Sequence, residues 1–179
     1  MTHEIICAGF GGQGVMLIGQ IIAYGGMIEG KSVSWFPSYG PEMRGGTANC
    51  SVVVSEKQVG SPIVSEPDGI IAMNRPSLEK FTMAVKPGGT IVYNSSLIEI
   101  TPDRSGVKIL PVPANDIAAE LGNDKVANMV ALGAYLGLTK VISPTSVEAA
   151  LKKVLPSRRH KLIPLNIQAL QKGLELAKN

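Results

Sequence analysis

A glycine-rich loop near the start of the chain carries the first residues whose types and spacing could do chemistry. It follows the apolar segment His3–Ala8 and leads into an apolar segment that runs from Gly14 to Ile28. The spacing fits G-x-G-x-x-G between a strand and a helix, a layout that brings backbone amides and a helix N-terminus up to a phosphate. We therefore expect an anion site at Gly9, Gly11, Gly12, Gln13 and Gly14. The alternative is that these glycines only let the helix pack closely on the sheet.

The same pattern is used by nicotinamide-binding domains, which also need an Asp or Glu at the end of the second strand to hold the ribose. The second predicted strand is Ser32–Phe36, and no acidic residue follows it before Glu42. This disfavours a dinucleotide and leaves a phosphate or another anion open.

A second loop, residues 35–46, also carries groups that could contact a ligand or a partner. Its two prolines and three glycines exclude a helix. Loops of this kind usually present side chains to something outside the fold, which points to Tyr39, Glu42 and Arg44. The alternative is a long turn in which Glu42 and Arg44 pair with each other or with backbone groups.

Other catalytic groups are sparse. The two histidines, His3 and His160, lie at a terminus and in a basic segment, and no nucleophile elbow, P-loop lysine or His/carboxylate metal cluster can be identified. Cys7 and Cys50 lie on separate predicted strands outside any C-x-x-C pair, so we expect buried thiols rather than a disulfide, a zinc site or an iron–sulfur cluster. We expect this chain to hold no cofactor or metal and not to be a complete enzyme alone.

Strands and helices alternate along most of the chain, which predicts a three-layer α/β fold with a mostly parallel sheet and a Rossmann-like first βα unit. We expect a single domain over residues 1–179. The sheet is mixed if Gln58–Gly60 pairs back on the strand Ala48–Val54 as a hairpin. Further strands are predicted at 69–73, 90–93 and 107–110, and further helices at 76–85, 115–121, 125–138, 144–154 and 162–177.

Composition indicates a partner. Of the 179 residues, 17% are charged and 45% are hydrophobic, whereas soluble domains average about 25% charged residues. Residues 1–100 have a net charge of −2 and residues 101–179 of +5, mainly from the basic segment around Lys152, Lys153, Arg158, Arg159 and Lys161. That segment is a docking patch for an acidic partner or the solvated end of a helix. A net charge of +3 and 4% aromatic residues argue against nucleic-acid binding.

The segment from Gly14 to Ile28 is apolar on every side but shorter than the ~20 residues that a membrane span needs. No basic leader precedes it, so we expect no membrane segment and a cytoplasmic location. One face of such a helix can pack on the sheet, and the other needs a neighbouring helix or a second subunit.

Taken together, the two loops resemble the gamma subunit of the 2-oxoacid:ferredoxin oxidoreductases. The resemblance rests on GFGGQGV followed by YGPEMRGG. It continues in order through residues 60–63, 67–68, 86–89, 94–96, 112–114 and 128–133, and so covers essentially the whole chain.

This resemblance implies a chain that works inside a multi-subunit enzyme. The complex is expected to use thiamine diphosphate, Mg²⁺ and [4Fe-4S] clusters on alpha, beta and ferredoxin-like delta subunits, and to pass electrons to ferredoxin. The complex is expected to oxidise a 2-oxoacid, expected to be 2-oxoglutarate with pyruvate and ketoisovalerate as alternatives, and to acylate coenzyme A. The glycine loop would then contact coenzyme A, and Tyr39, Glu42 and Arg44 would face a partner subunit or the active-site mouth. The alternatives are a stand-alone nucleotide-binding oxidoreductase and a purely structural subunit.

Overall fold

The computed structural model describes residues 1–38 and 47–178. Within these residues the strands are β1 (Thr2–Gly9), β2 (Ser32–Ser38), β3 (Ala48–Ser55), β4 (Gly69–Ala72), β5 (Thr90–Asn94) and β6 (Lys108–Val112). The α-helices are α1 (Val15–Ile28), α2 (Arg75–Phe81), α3 (Ala114–Glu120), α4 (Ala127–Thr139), α5 (Pro144–Val154) and α6 (Ile163–Leu176). Short 3₁₀ turns follow α2 and precede α4 and α6.

The described strands form one sheet in the order β2-β3-β1-β4-β5-β6. Strands β1, β4, β5 and β6 are parallel to one another. Strand β3 is antiparallel to both of its neighbours, β1 and β2. The expectation of an α/β fold with a mostly parallel, mixed sheet is therefore confirmed.

The predicted source of the antiparallel pairing was wrong. Gln58–Gly60 forms no strand, and β3 pairs with β1 and β2 instead of forming a hairpin with that segment. Strand β3 is buried on both faces, since Val52 and Val54 point to one side and Val53 to the other. A strand that buries both faces belongs in the interior of the sheet, where it has a neighbour on each side.

Two hydrophobic cores cover the two faces of the sheet. On one face, helices α1, α3, α4, α5 and α6 bury the odd-numbered side chains of β1, such as Ile5 and Cys7. On the other face, α2 and the loops around Val64 and Ile98 cover the even-numbered ones, Ile6 and Ala8. The two free cysteines are buried opposite each other on β1 and β3, as small apolar groups.

No helix in the described part of the chain is long and apolar enough to cross a membrane. Within residues 1–38 and 47–178, no three His, Cys, Asp or Glu side chains come together in a way that could hold a metal ion.

Candidate functional site

The glycine-rich loop lies where the connections from two neighbouring parallel strands diverge. Helix α1, which follows β1, packs on one face of the sheet, and α2, which follows β4, packs on the other. In open α/β sheets a crevice forms at the carboxyl ends of the strands at such a point, and ligands commonly bind there. The predicted anion site therefore lies at a favoured position for a ligand.

Gln13 holds the loop in shape through its side chain. Its Oε1 accepts a hydrogen bond from the backbone N–H of Phe10 at 2.6 Å, and its Nε2 donates to the carbonyl of Met73 at 3.1 Å. The loop is thereby tied to the end of β4. Gln13 has a structural role, and its amide is already occupied by protein groups.

Two of the glycines are required by packing. A β-carbon added at Gly9 would lie 2.9 Å from Cβ of Met73, and one added at Gly14 would lie 2.5 Å from Nδ2 of Asn128. Gly14 also has φ +76°, a left-handed conformation that side chains rarely adopt. For these two residues the packing explanation is sufficient.

Gly11 and Gly12 face open space. A β-carbon at either position would meet no atom within 4 Å. Gly12 has φ +91°, which by itself accounts for a glycine, whereas Gly11 has no such φ. Neither space nor backbone conformation in the described fold requires a glycine at position 11.

Helix α1 begins next to this open stretch without a side-chain cap. The first N–H groups of a helix have no partner inside the helix and carry the positive end of its dipole. They are left for solvent or for an anion, so the local structure has the form expected of an anion site.

Asn128, the second residue of α4, supports the loop from behind. Its Nδ2 donates to the carbonyl of Gly14 at 3.3 Å, and its Oδ1 is buried without a hydrogen-bond partner among the described residues. The side chain is only 3% exposed. Sequence reasoning missed this contact. The pattern that could have indicated it is a polar residue near the start of an otherwise apolar helix.

Two cavities flank the loop, and Gly12 lines both. The larger, of about 480 Å³, lies between the loop, the first turns of α1 and residues 154–156, and Arg159 is its one charged lining residue among those described. The smaller, of about 200 Å³, is lined by Met73, Ala127 and a majority of polar side chains, namely Gln13, Asn115, Asp124, Lys125 and Asn128. We call the larger one the glycine-loop cleft.

Of the basic side chains between Lys152 and Lys161, Arg159 alone lines this cleft. Arg159 borders the cleft, whereas Lys152 pairs with Glu148 at 3.2 Å on the exposed side of α5. His160 is hydrogen bonded to the carbonyl of Leu155 at 2.9 Å. Lys152 and Lys153 thus form the solvated end of α5, whereas Arg159, on the 3₁₀ turn that follows, is placed beside the predicted anion site.

Two groups with a shifted pKa, His3 and Lys86, lie at the opposite end of the strands from the glycine loop. Burial lowers the pKa of His3, which is hydrogen bonded to the buried hydroxyl of Tyr135 at 2.8 Å. A hydrogen bond to Glu4 raises the pKa of Lys86, which also contacts Asp68. These contacts tie the beginnings of β1 and β4 together.

Tyr39, Glu42 and Arg44, predicted to face a partner, lie outside the described residues. The strand that leads to them, β2, lies on the far side of β3 from β1. In a Rossmann domain the strand that carries the ribose-binding acid is the parallel neighbour of β1. Here the antiparallel strand β3 occupies that place. The fold therefore has no parallel strand next to β1 on that side that could carry a ribose-binding acid.

Known proteins similar to this chain share this fold over nearly its whole length. Residues 4–176 match the family model described as pyruvate ferredoxin/flavodoxin oxidoreductase. The chain is 42% identical over 173 residues to ketoisovalerate oxidoreductase subunit VorA of Methanothermobacter thermautotrophicus. That match covers 96% of this chain but 35% of the relative. It is 35% identical to 2-oxoglutarate synthase subunit KorC of Methanothermobacter marburgensis, over 98% of this chain and 97% of the relative. The chain therefore spans about a third of the first of these relatives and nearly all of the second.

Two solved structures also match this fold over nearly the whole chain. The gamma subunit of keto/oxoacid ferredoxin oxidoreductase from Geobacter sulfurreducens is 31% identical with a TM-score of 0.85, over 98% of both chains. A chain of 2-oxoglutarate:ferredoxin oxidoreductase from Magnetococcus marinus, with 2-oxoglutarate, coenzyme A and succinyl-CoA bound, is 29% identical with a TM-score of 0.86. That match covers 99% of this chain and 31% of the other.

Proposed function

The chain belongs to the pyruvate ferredoxin/flavodoxin oxidoreductase family, and we propose that it is the gamma subunit of a 2-oxoacid:ferredoxin oxidoreductase. Within that enzyme it helps assemble the complex and forms the part of the active-site mouth that admits coenzyme A. The enzyme oxidises a 2-oxoacid to carbon dioxide and an acyl-coenzyme A, and passes the electrons to ferredoxin. It works in the cytoplasm.

The observation that carries the coenzyme A assignment is the open space at Gly11. A glycine that the described fold does not require, beside an uncapped helix N-terminus and Arg159, is suited to close approach of a phosphate. Coenzyme A has a diphosphate and a 3′-phosphate. The Magnetococcus relative was solved with coenzyme A bound, which supports this choice of anion.

In the proposed enzyme, the other components lie on partner chains. Thiamine diphosphate, Mg²⁺ and the [4Fe-4S] clusters belong to the alpha, beta and ferredoxin-like delta subunits, as the family resemblance implies. Tyr39, Glu42 and Arg44 face one of these subunits or the shared mouth. The planar guanidinium of Arg44 can bind a carboxylate or phosphate at two points.

For the 2-oxoacid we propose 2-oxoglutarate, because the KorC relative matches this chain from end to end. Ketoisovalerate is the second candidate, since the VorA relative is 42% identical. Comparing the rates of the assembled enzyme with 2-oxoglutarate, ketoisovalerate and pyruvate tests this choice.

Ligand binding by the isolated chain separates the three functional classes. We expect coenzyme A to raise the melting temperature, because a ligand that binds only the folded state stabilises it by mass action. Stabilisation by NAD or a flavin instead would favour a stand-alone nucleotide-binding oxidoreductase. No stabilisation by any of them would favour a structural subunit.

Gly11→Val tests the site in the assembled enzyme. A β-carbon at position 11 would meet no atom within 4 Å, and Gly11 lines the glycine-loop cleft, so we expect the KM for coenzyme A to rise roughly tenfold or more. Reduction of the enzyme by the 2-oxoacid before coenzyme A is added should proceed at the wild-type rate. Gly12→Val should show the same preferential loss of coenzyme A use, but its φ of +91° adds strain to the loop.

Gly60→Val is the matched control, because Gly60 is also exposed with no atom within 4 Å of an added β-carbon. It should leave both steps unchanged. If Gly11→Val impairs both steps equally, or neither, the loop serves packing and the coenzyme A assignment fails.

A further inference from the structure

Helix α1 buries isoleucines and small residues on its inward side and also carries large apolar residues on its outward side. Gly19 and Gly26 lie against the sheet, where an added β-carbon would come within 2.4 Å of Sγ of Cys50 and 2.7 Å of Cγ1 of Val33, respectively. The outward side instead carries Tyr24, Met27 and Ile28, which are 42%, 56% and 47% exposed. A helix at the surface of a soluble domain normally carries polar residues on its outward side.

These outward residues form one stripe. Spacings of three and four residues place side chains on the same side of a helix. The stripe consists of the exposed Tyr24, Met27 and Ile28 and the half-buried Met16, Leu17 and Gln20, and it is about 18 Å long. Helix α1 contains no Asp, Glu, Lys or Arg, so the stripe is uncharged, and it is apolar apart from the Gln20 amide and the Tyr24 hydroxyl.

The stripe runs directly into the glycine-loop cleft. Met16, Leu17 and Gln20, at its N-terminal end, also line that cleft. Strand β2, which packs beside α1, ends at Ser38, immediately before the loop that carries Tyr39, Glu42 and Arg44. A partner seated on the stripe would therefore lie at the mouth of the cleft.

We propose that this stripe is the docking surface for the catalytic chain of the same enzyme, the chain that holds thiamine diphosphate; the inference rests on the proposed function. Relatives show that this domain occurs within longer polypeptides, covering 35% of VorA and 31% of the Magnetococcus chain, and also almost alone, as 97% of KorC. A domain that is fused in some enzymes and separate in others needs a surface that holds it permanently against the remainder.

The chemistry of the stripe fits a permanent partner. Interfaces that never separate are more hydrophobic than transient ones, and their centres contain few charged residues. The matching surface on the catalytic chain should therefore be apolar, with no unpaired charge opposite α1. An exposed apolar stripe of this kind is uncommon on a protein that works as a monomer.

Met27→Glu tests the inference in the chain purified together with its partner subunits. A carboxylate buried unpaired in an apolar interface should weaken assembly roughly a hundredfold or more. The isolated variant should keep its melting temperature, because Met27 is largely exposed. The readouts are the amount of catalytic chain, identified by mass spectrometry, that co-purifies, and the 2-oxoacid oxidation of the mixture.

Met83→Glu is the matched control. Met83 is a methionine with 67% exposure on the 3₁₀ turn after α2, on the opposite face of the sheet. Assembly by the wild-type chain and Met83→Glu, but not by Met27→Glu or Tyr24→Glu, would support the proposed surface.

Other outcomes overturn the inference in distinguishable ways. Normal assembly of Met27→Glu would place the interface elsewhere and leave the proposed function standing. A homodimer of the isolated chain that Met27→Glu dissociates would identify a second copy as the occupant. Failure of the wild-type chain to bind any thiamine-diphosphate-binding chain would remove both proposals.

Discussion

Glu29 is the residue that joins the end of α1 to the start of α5. Its Oε1 accepts hydrogen bonds from the backbone N–H of Ser143 at 2.6 Å and from the Ser146 hydroxyl at 2.8 Å. Its Oε2 accepts from Lys31 at 2.7 Å. Partial burial raises the pKa of Glu29, but these hydrogen bonds outweigh it and lower the pKa from 4.5 to about 2.

A lowered carboxyl pKa makes part of the stability depend on pH. The contribution of Glu29 is present above pH 4.5, its value in an unfolded chain, and is lost as the pH falls towards about 2. We expect Glu29→Gln to lower the free energy of unfolding at pH 7 by about 1–2 kcal/mol. Urea unfolding of both proteins at several pH values should show the difference shrinking below pH 4.5. A difference that is constant with pH would show that the charge of Glu29 is not responsible.

Among the helices, α4 and α6 pack so closely that their backbones touch. A β-carbon added at Gly133 would lie 2.0 Å from the carbonyl oxygen of Leu170, and one at Gly173 would lie 2.0 Å from that of Val130. Helix α4, which carries Asn128 towards the glycine loop, is thereby held between the sheet and α6. The position of Asn128 thus depends on a backbone-to-backbone contact between α4 and α6.

Gly133→Ala should force these two helices apart. Although alanine favours a helix by about 1 kcal/mol over glycine, overpacking against a backbone atom should dominate. We expect a net loss of roughly 2 kcal/mol in the free energy of unfolding, measured as a decrease in melting temperature of several degrees. Gly60→Ala, in open space, is the control and should change stability by less than about 0.5 kcal/mol. Equal melting temperatures for the two variants would contradict the close packing of α4 on α6.

For the molecule as a whole, the proposed function predicts that the isolated chain is inactive. With thiamine diphosphate, Mg²⁺, coenzyme A, a 2-oxoacid and an electron acceptor supplied, the purified chain should not reduce the acceptor. The reason is that thiamine diphosphate and the clusters are assigned to other chains. Activity should appear when the partner subunits are added. Acceptor reduction by this chain alone would overturn its assignment as a gamma subunit.

Local features of this molecule could be predicted from sequence because each depends on residues close together in the chain. The order of strands and helices follows from apolar segments punctuated by glycine and proline. The glycine-rich loop between β1 and α1 follows from the same local rules, and so does the burial of α1 against the sheet. The family was identifiable from two motifs that lie about thirty residues apart.

Long-range pairing decided the rest. Only the tertiary structure places β3 between β1 and β2, because strand pairing joins residues that are distant along the chain. The tertiary structure also distinguishes glycines that packing requires from one that it does not. An added β-carbon would meet Met73 at Gly9 and Asn128 at Gly14, but no atom within 4 Å at Gly11. Arg159 reaches the cleft, and Tyr24, Met27 and Ile28 of α1 face outward, for the same reason. A sequence specifies which side chains exist and their local conformations, but the atoms that surround each one are set by packing between distant segments.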